Sequence, residues 1–154
     1  MSDWTYHSNL PLAAIADAPY WARRHIEDIF PKWGAASLVM NAQLVATELV
    51  TNGVRHSGGS MELPEVAITG GRAMPTKSVL PKKGEGAIIR LSLSYEEGRL
   101  LIEVWDKSDT PPAAQLPDFV SERGRGLFVV SAFCEKWGWH PSQGGGKVVW
   151  AELH

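Results

Sequence analysis

Residues 87–105 contain two short segments in which apolar and polar side chains alternate, with a turn signal between them. The segments are residues 87–94 and 100–105, and alternation with a period of two is typical of strands that bury one face. Glu96-Glu97-Gly98 lies between them, and a glycine at this place suits a tight hairpin turn. The stretch therefore predicts an antiparallel strand pair, and other elements must cover one face of its sheet.

The rest of the chain supplies the covering elements. Apolar residues at three- and four-residue spacings predict helices over 13–30, 36–57 and 126–133, and further strands are predicted over 4–10, 136–140 and 147–153. Residues 59–86 are rich in proline and glycine and show no sustained period, which predicts a loop insert. The order of elements favours one α+β domain spanning 1–154. Its expected architecture is a two-layer sandwich, with a mostly antiparallel sheet and helices on one face.

Composition excludes several classes of protein. A net charge of -2 over 154 residues argues against direct binding of nucleic acid by phosphate neutralisation. The one cysteine, Cys134, cannot form an internal disulfide bond. No apolar run approaches the roughly 18 residues that span a bilayer, and the first residues do not follow the pattern of a signal peptide. We therefore expect a cytoplasmic protein that does not bind membranes.

The second predicted helix carries Glu48, Asn52 and His56 four residues apart. On a helix this spacing places all three side chains on one face. A carboxylate can accept a proton from a hydroxyl nucleophile, and carboxylate and amide oxygens can bind a hard cation. Taken alone, the same pattern also fits a solvated polar stripe.

Two further stretches can bind parts of a nucleotide. Asp106 follows a strong strand, where a carboxylate can accept a hydrogen bond from the exocyclic amine of a base, although an aspartate there can also simply cap a turn. Gly124 and Gly126 precede an apolar helix, where backbone N–H groups can approach a phosphate. Arg123 and Arg125 add positive charge to that stretch, which by itself is equally consistent with an ordinary loop.

Taken together and in this order, the three stretches resemble the N, G1 and G2 boxes of the gyrase and histidine-kinase ATPase superfamily, which has the Bergerat fold. The likeness is closest to the small bacterial anti-sigma-factor serine kinases and related ATP-binding regulators. It covers most of the chain outside the insert. Residues 48–57 and 124–130 are its most specific parts.

The resemblance implies a role for each site residue. Glu48 would be the general base, Asn52 would bind Mg²⁺ between the phosphates, and Asp106 would bind the adenine amino group. The segment from Gly124 through Arg125 and Gly126 to Leu127 would wrap the phosphates of ATP. The resemblance assigns no task to His56. It also makes a homodimer an expectation.

The sequence departs from the family pattern at two places. Lys107, Ser108 and Asp109 follow Asp106, where the wider superfamily carries glycines. A threonine near the adenine is replaced at about Val148, so that one hydrogen bond to the base is expected to be missing. The predicted lid between Pro111 and Arg123 is also short, which suggests an open pocket.

These features give two competing hypotheses. In the first, the protein is an anti-sigma-type regulator that binds ATP and Mg²⁺, holds a sigma factor, and phosphorylates a serine of an antagonist protein. In the second, it is a non-catalytic interaction domain on the same fold, with weak ATP binding or none. Glu48 favours the first hypothesis, and Val148 and the turn after Asp106 favour the second. A plain structural α+β domain would explain the elements but not the ordered occurrence of the three boxes.

Overall fold

A computed structural model describes residues 4–59, 87–111 and 130–154. In this part of the chain five strands and two long helices are defined. The strands are β1 (Tyr6–Ala13), β2 (Ile88–Glu96), β3 (Arg99–Asp106), β4 (Lys136–Pro141) and β5 (Lys147–Leu153), and the helices are α1 (Ala18–Ile29) and α2 (Val39–His56). Short 3₁₀ turns at Pro31–Trp33 and Ala36–Leu38 connect α1 to α2.

The five strands form one open sheet in the order β1-β2-β3-β5-β4, and every neighbouring pair is antiparallel. The predicted hairpin between β2 and β3 is confirmed. Glu97 and Gly98 both have positive φ angles, 44° and 84°, and two such residues in succession match the right-handed twist of the strands that they join. Strand β1 lies at one edge of the sheet and β4 at the other.

The helices cover one face of this sheet. Side chains at alternate positions of β3 are buried, and β5 repeats the pattern from Lys147 onward. Helix α2 contacts β2, β3 and β5, and α1 packs against α2. The core contains the buried side chains of this layer, among them Leu12, Ile26, Phe30, Val45, Leu49, Val54, Ile89, Leu91, Leu93, Ile102, Val104 and Val149. The predicted α+β architecture is therefore confirmed, and it is compatible with a two-layer sandwich.

The predicted boundary between the first strand and the first helix was wrong. The first strand does not end before Pro11 but continues to Ala13, and α1 begins at Ala18 rather than residue 13. Proline is tolerated in β1 because this strand is at the edge and pairs only with β2. Pro19 lies in the first turn of α1, where the missing N–H of proline breaks no helical hydrogen bond.

Two predicted elements lie wholly or partly outside the described residues. The predicted insert lies outside the described residues from residue 60 onward. Of the helix predicted over 126–133, only 130–133 are described, and these residues are helical. Within the described ranges no helix combines the length and the apolar character that crossing a bilayer requires.

Candidate functional site

The face of α2 that packs on the sheet also carries polar side chains. Its apolar side chains include the buried Val45, Leu49 and Val50, which hold the helix on the sheet. Asn52 is 9% exposed although it is polar. Glu48, one turn earlier, is partly buried. These two residues lie at the boundary between the core and the surface, where a side chain can be held in place and still reach a ligand.

Gly53 allows α2 to approach the sheet closely. A Cβ atom at this position would lie 3.2 Å from Val104 Cγ1 of β3 and 3.5 Å from Ile89 Cγ2 of β2. Val104 precedes Asp106 by two positions on the same face of β3, a separation of roughly 7 Å along a strand. The close contact therefore holds this turn of α2, which also carries Asn52, over the strand that ends at Asp106.

Glu48 has the electrostatic character of a possible proton acceptor. Burial raises the pKa of its carboxyl group, and the positive charge of Arg55 partly opposes this effect. A raised pKa makes the carboxylate a stronger base once it is ionised, which is the direction that general base catalysis needs. The same shift also occurs at carboxylates that are merely buried.

Asp106 is the last residue of β3, and its side chain faces the helices with 1% exposure. Its Oδ1 atom accepts a hydrogen bond from the backbone N–H of Ser108 at 2.9 Å. This contact shapes the turn that follows β3. Thr110 N–H donates in the same way to Ser108 Oγ at 3.2 Å, so that side chains close the turn where the wider superfamily has glycines.

Lys147 is the site residue that the sequence analysis missed. It pairs with Asp106 in the register between β3 and β5. Its Nζ atom lies 2.9 Å from Asp106 Oδ1, and each side chain is 1% exposed. The ammonium group also approaches the Ser108 carbonyl oxygen at 3.4 Å. The carboxylate predicted to bind adenine is thus already half of a buried ion pair.

A second set of contacts ties the turn after β3 to the β4–β5 turn. Gly146 N–H donates to Asp109 Oδ1 at 3.0 Å, and Trp105 Nε1–H donates to the Gly145 carbonyl at 3.0 Å. Gly146 has a φ of +79°, and a Cβ atom there would clash with the carbonyl oxygen of Asp106. Together with Lys147, these contacts fix the position of the Asp106 carboxylate.

Val148, predicted to stand at about the place of a threonine near the adenine, faces away from Asp106. Lys147 and Val149 are buried on the face that the helices cover, whereas Val148 is only partly buried and points to the opposite face of β5. Val148 and Asp106 therefore face opposite sides of the sheet. The period-two alternation of side chains along β5 already implies this orientation, because it places Lys147 on the same face as Val149.

The remaining predicted site residues are only partly described. His56 is partly buried in the last turn of α2, on the same flank as Asn52. Gly124, Arg125, Gly126 and Leu127 lie outside the described residues. The structure therefore places the helix and strand parts of the candidate site but not the segment predicted to wrap the phosphates.

The donor set on α2 fits a magnesium ion that is held mainly by phosphates. Glu48 and Asn52 offer oxygen atoms one helical turn apart, which are ligands that Mg²⁺ accepts. Across the described ranges, no group of three or more His, Cys, Asp and Glu side chains is arranged to hold a metal. Mg²⁺ does not need such a group, because it keeps several waters and often takes only one or two protein ligands beside phosphate oxygens.

A separate groove of about 200 Å³ lies between β1 and α1 and is lined by Leu10, Trp21, Arg24, His25 and Asp28. Ser8 Oγ and His25 Nε2 form a hydrogen bond of 2.5 Å beside it, linking the strand to the helix. Of the described residues predicted to bind ATP, neither Asn52 nor Asp106 lines this groove.

Comparison with known proteins adds no relative: no protein-family model matches the chain, and no curated protein matches its sequence.

Proposed function

We propose that the protein is an ATP-binding regulator of the anti-sigma-factor type, with serine kinase activity towards an antagonist protein. One observation carries the proposal. The close packing of Gly53 on Val104 holds the turn of α2 that carries Asn52 over β3, the strand that ends in the buried Asp106. Residues far apart in the sequence thereby lie on the helix-covered side of the sheet, which supports the grouping that the family resemblance implies.

The proposed roles follow from the chemistry of each residue. The partly buried Glu48 would take the proton of the attacking serine hydroxyl, and its raised pKa is in the useful direction. Asn52 would bind Mg²⁺, which supplies charge neutralisation at the phosphates when it is bound. Asp106 would accept a hydrogen bond from the amino group of adenine. Phosphoryl transfer depends mainly on positioning and charge, so few protein groups suffice.

The partners in this proposal are a sigma factor, bound through a protein interface, and an antagonist whose serine accepts the phosphate. The assembly would be a homodimer, as the resemblance implies. Neither nucleic acid nor a membrane has a direct part in it.

Calorimetric titration with ATP and Mg²⁺ tests the nucleotide site. We expect saturable binding that Asp106→Asn weakens by roughly tenfold, because a charge-assisted hydrogen bond to the base is lost. Asp109→Asn is the matched control, since it makes the same chemical change in the same turn and retains the oxygen that accepts from Gly146. Absence of binding to the folded wild-type protein at millimolar ATP would overturn the proposal.

The kinase step needs a separate test. Glu48→Ala should keep the ATP affinity and slow transfer to the antagonist by roughly a hundredfold or more, the typical contribution of a general base. The measurement is formation of phosphoserine on candidate antagonist proteins by mass spectrometry. Transfer at the wild-type rate by Glu48→Ala would remove Glu48 from the mechanism.

A second candidate function is a non-catalytic interaction domain on the same fold. The observation that favours it is the Lys147–Asp106 ion pair, which already engages the carboxylate assigned to adenine. Under this hypothesis the pair is structural, and neither ATP nor ADP stabilises the protein against heat.

A further inference from the structure

The Lys147–Asp106 pair places a hydrogen-bond donor beside an acceptor. The two side chains lie on the helix-covered face of adjacent strands, directly opposite each other in the register. Their polar atoms are 2.9 Å apart. Two neighbouring polar groups on the edge of a small heterocycle have a comparable separation, so the spacing of the pair matches that of such an edge.

Neither partner uses all of its hydrogen-bonding groups in the pair. A lysine ammonium has three N–H donors, and Lys147 directs one to Asp106 Oδ1 and a second, at the long distance of 3.4 Å, to the Ser108 carbonyl. An ionised carboxylate has about four acceptor positions. The two hydrogen bonds described for Asp106, from Lys147 and from Ser108 N–H, both end on Oδ1.

The pair should remain intact when a ligand binds. Removing one member of a buried ion pair leaves an uncompensated charge in a poorly solvated place, which is strongly unfavourable. A ligand gains little by displacing the ammonium from Asp106. A ligand that forms hydrogen bonds to both residues avoids this cost. It would use the N–H donor of Lys147 and the acceptor positions of Asp106 that the pair leaves over.

The edge of adenine complements such a pair. Its exocyclic amino group is a donor, and the ring nitrogens N1 and N7 that flank it are acceptors. Resting on the ATP binding proposed above, we propose that Lys147 is a second base-contacting residue, which donates to the ring nitrogen beside the amino group while Asp106 accepts from that amino group. Lys147 lies on the same face of the sheet as Asp106, whereas Val148 faces the other side.

The test uses ADP analogues in which one ring nitrogen is replaced by C–H. Affinities of the wild-type protein for ADP, 1-deaza-ADP and 7-deaza-ADP are measured by calorimetry with Mg²⁺. One of the two analogues should bind roughly tenfold or more weakly than ADP, as expected for loss of a charge-assisted hydrogen bond, and the other should bind as ADP does. The weaker analogue identifies the nitrogen that Lys147 contacts.

Lys147→Met then assigns the effect to this side chain. In the variant the analogue that binds weakly to the wild type should bind with the same affinity as ADP, because the donor is gone. A merely structural lysine predicts a different result, in which the variant weakens ADP and both analogues by the same factor. Lys136→Met, on the edge strand β4, is the matched control and should preserve the wild-type discrimination.

The outcomes separate the two proposals. Failure of ADP and ATP to bind the wild-type protein overturns the nucleotide site and this inference with it. Binding of ADP and both analogues with equal affinity overturns the inference alone, as does discrimination that persists unchanged in Lys147→Met. If that variant does not fold, the wild-type comparison decides: equal affinities reject a contact between Lys147 and the base, and loss with one analogue supports it.

Discussion

Lys147 Nζ lies 2.9 Å from Asp106 Oδ1, and both side chains are almost completely removed from solvent. Burial costs each charge its hydration free energy, and this cost is offset only by the attraction between the two charges in the intact pair. The contact holds the end of β3 to the start of β5. Replacing only one of its two residues therefore leaves the other charge buried without a partner.

We expect single and double substitutions at this pair to differ sharply in stability. Lys147→Met alone should lower the free energy of unfolding by roughly 3–5 kcal/mol, because it leaves the Asp106 carboxylate buried and unpaired. Lys147→Met combined with Asp106→Leu removes both charges and should recover most of that loss. Urea denaturation measures both variants, and a double substitution as unstable as the single one would contradict this account.

We expect the ionisation of Glu48 to lower the free energy of unfolding as the pH rises. Burial raises the pKa of its carboxyl group, so the folded state holds the proton more tightly than the unfolded chain does. Stability therefore falls as the pH passes from the ordinary pKa of glutamate through the raised value. Glu48→Gln should remove this loss and unfold at higher urea concentration than the wild type at neutral pH. Glu103→Gln, on the opposite face of the sheet, should leave the pH profile unchanged.

We expect the protonation of His25 to lower the free energy of unfolding as the pH falls, which is the opposite dependence. Burial lowers the pKa of its imidazole ring, and the nearby Asp28 opposes the shift more weakly. The unfolded chain thus binds the proton more readily, so stability falls as the pH drops through the ordinary pKa of histidine towards the lowered value. His25→Gln should flatten the unfolding free energy across this window. His7→Gln on the exposed side of β1 is the control, and a flat wild-type profile would contradict the prediction.

Gly53 should tolerate little added volume. Its missing side chain faces Val104 and Ile89, so Gly53→Leu would push α2 away from the sheet and cost roughly 1–3 kcal/mol by overpacking. Combining Gly53→Leu with Val104→Ala should restore part of the loss, because the smaller side chain makes room. Chemical denaturation of both single variants and the double variant measures the coupling, and strictly additive effects would show that the two positions do not interact.

Much of the fold was accessible to sequence reasoning because its strands are short, alternating and joined by recognisable turns. The β2–β3 hairpin has both a period-two pattern and a turn residue that tolerates positive φ. The start of α1 was misplaced because Pro11 looked like the end of a strand. Only the position of β1 at the edge of the sheet, a tertiary fact, shows why the strand can continue through it.

The candidate site was harder to predict, because its key contact joins residues 41 positions apart. Local spacing identified Glu48, Asn52 and Asp106, but it gave no partner for Asp106. That partner depends on β5 pairing with β3 in a particular register. Once the register is known, alternation places Lys147 on the same face, and a buried lysine requires a counter-charge. The roles of Glu48, Asn52 and Asp106, like those of Gly124 to Leu127, stay predictions.

The strand order also has a consequence for how the protein folds. The β2–β3 hairpin closes a very short loop and can form early, whereas β5 must join β3 from about 40 residues further along the chain. Closing the longer loop costs more chain entropy before any contact compensates for it. The charged pair that completes the candidate site should therefore form late in refolding, and a variant that slows β3–β5 pairing would delay recovery of ligand binding more than recovery of helix content.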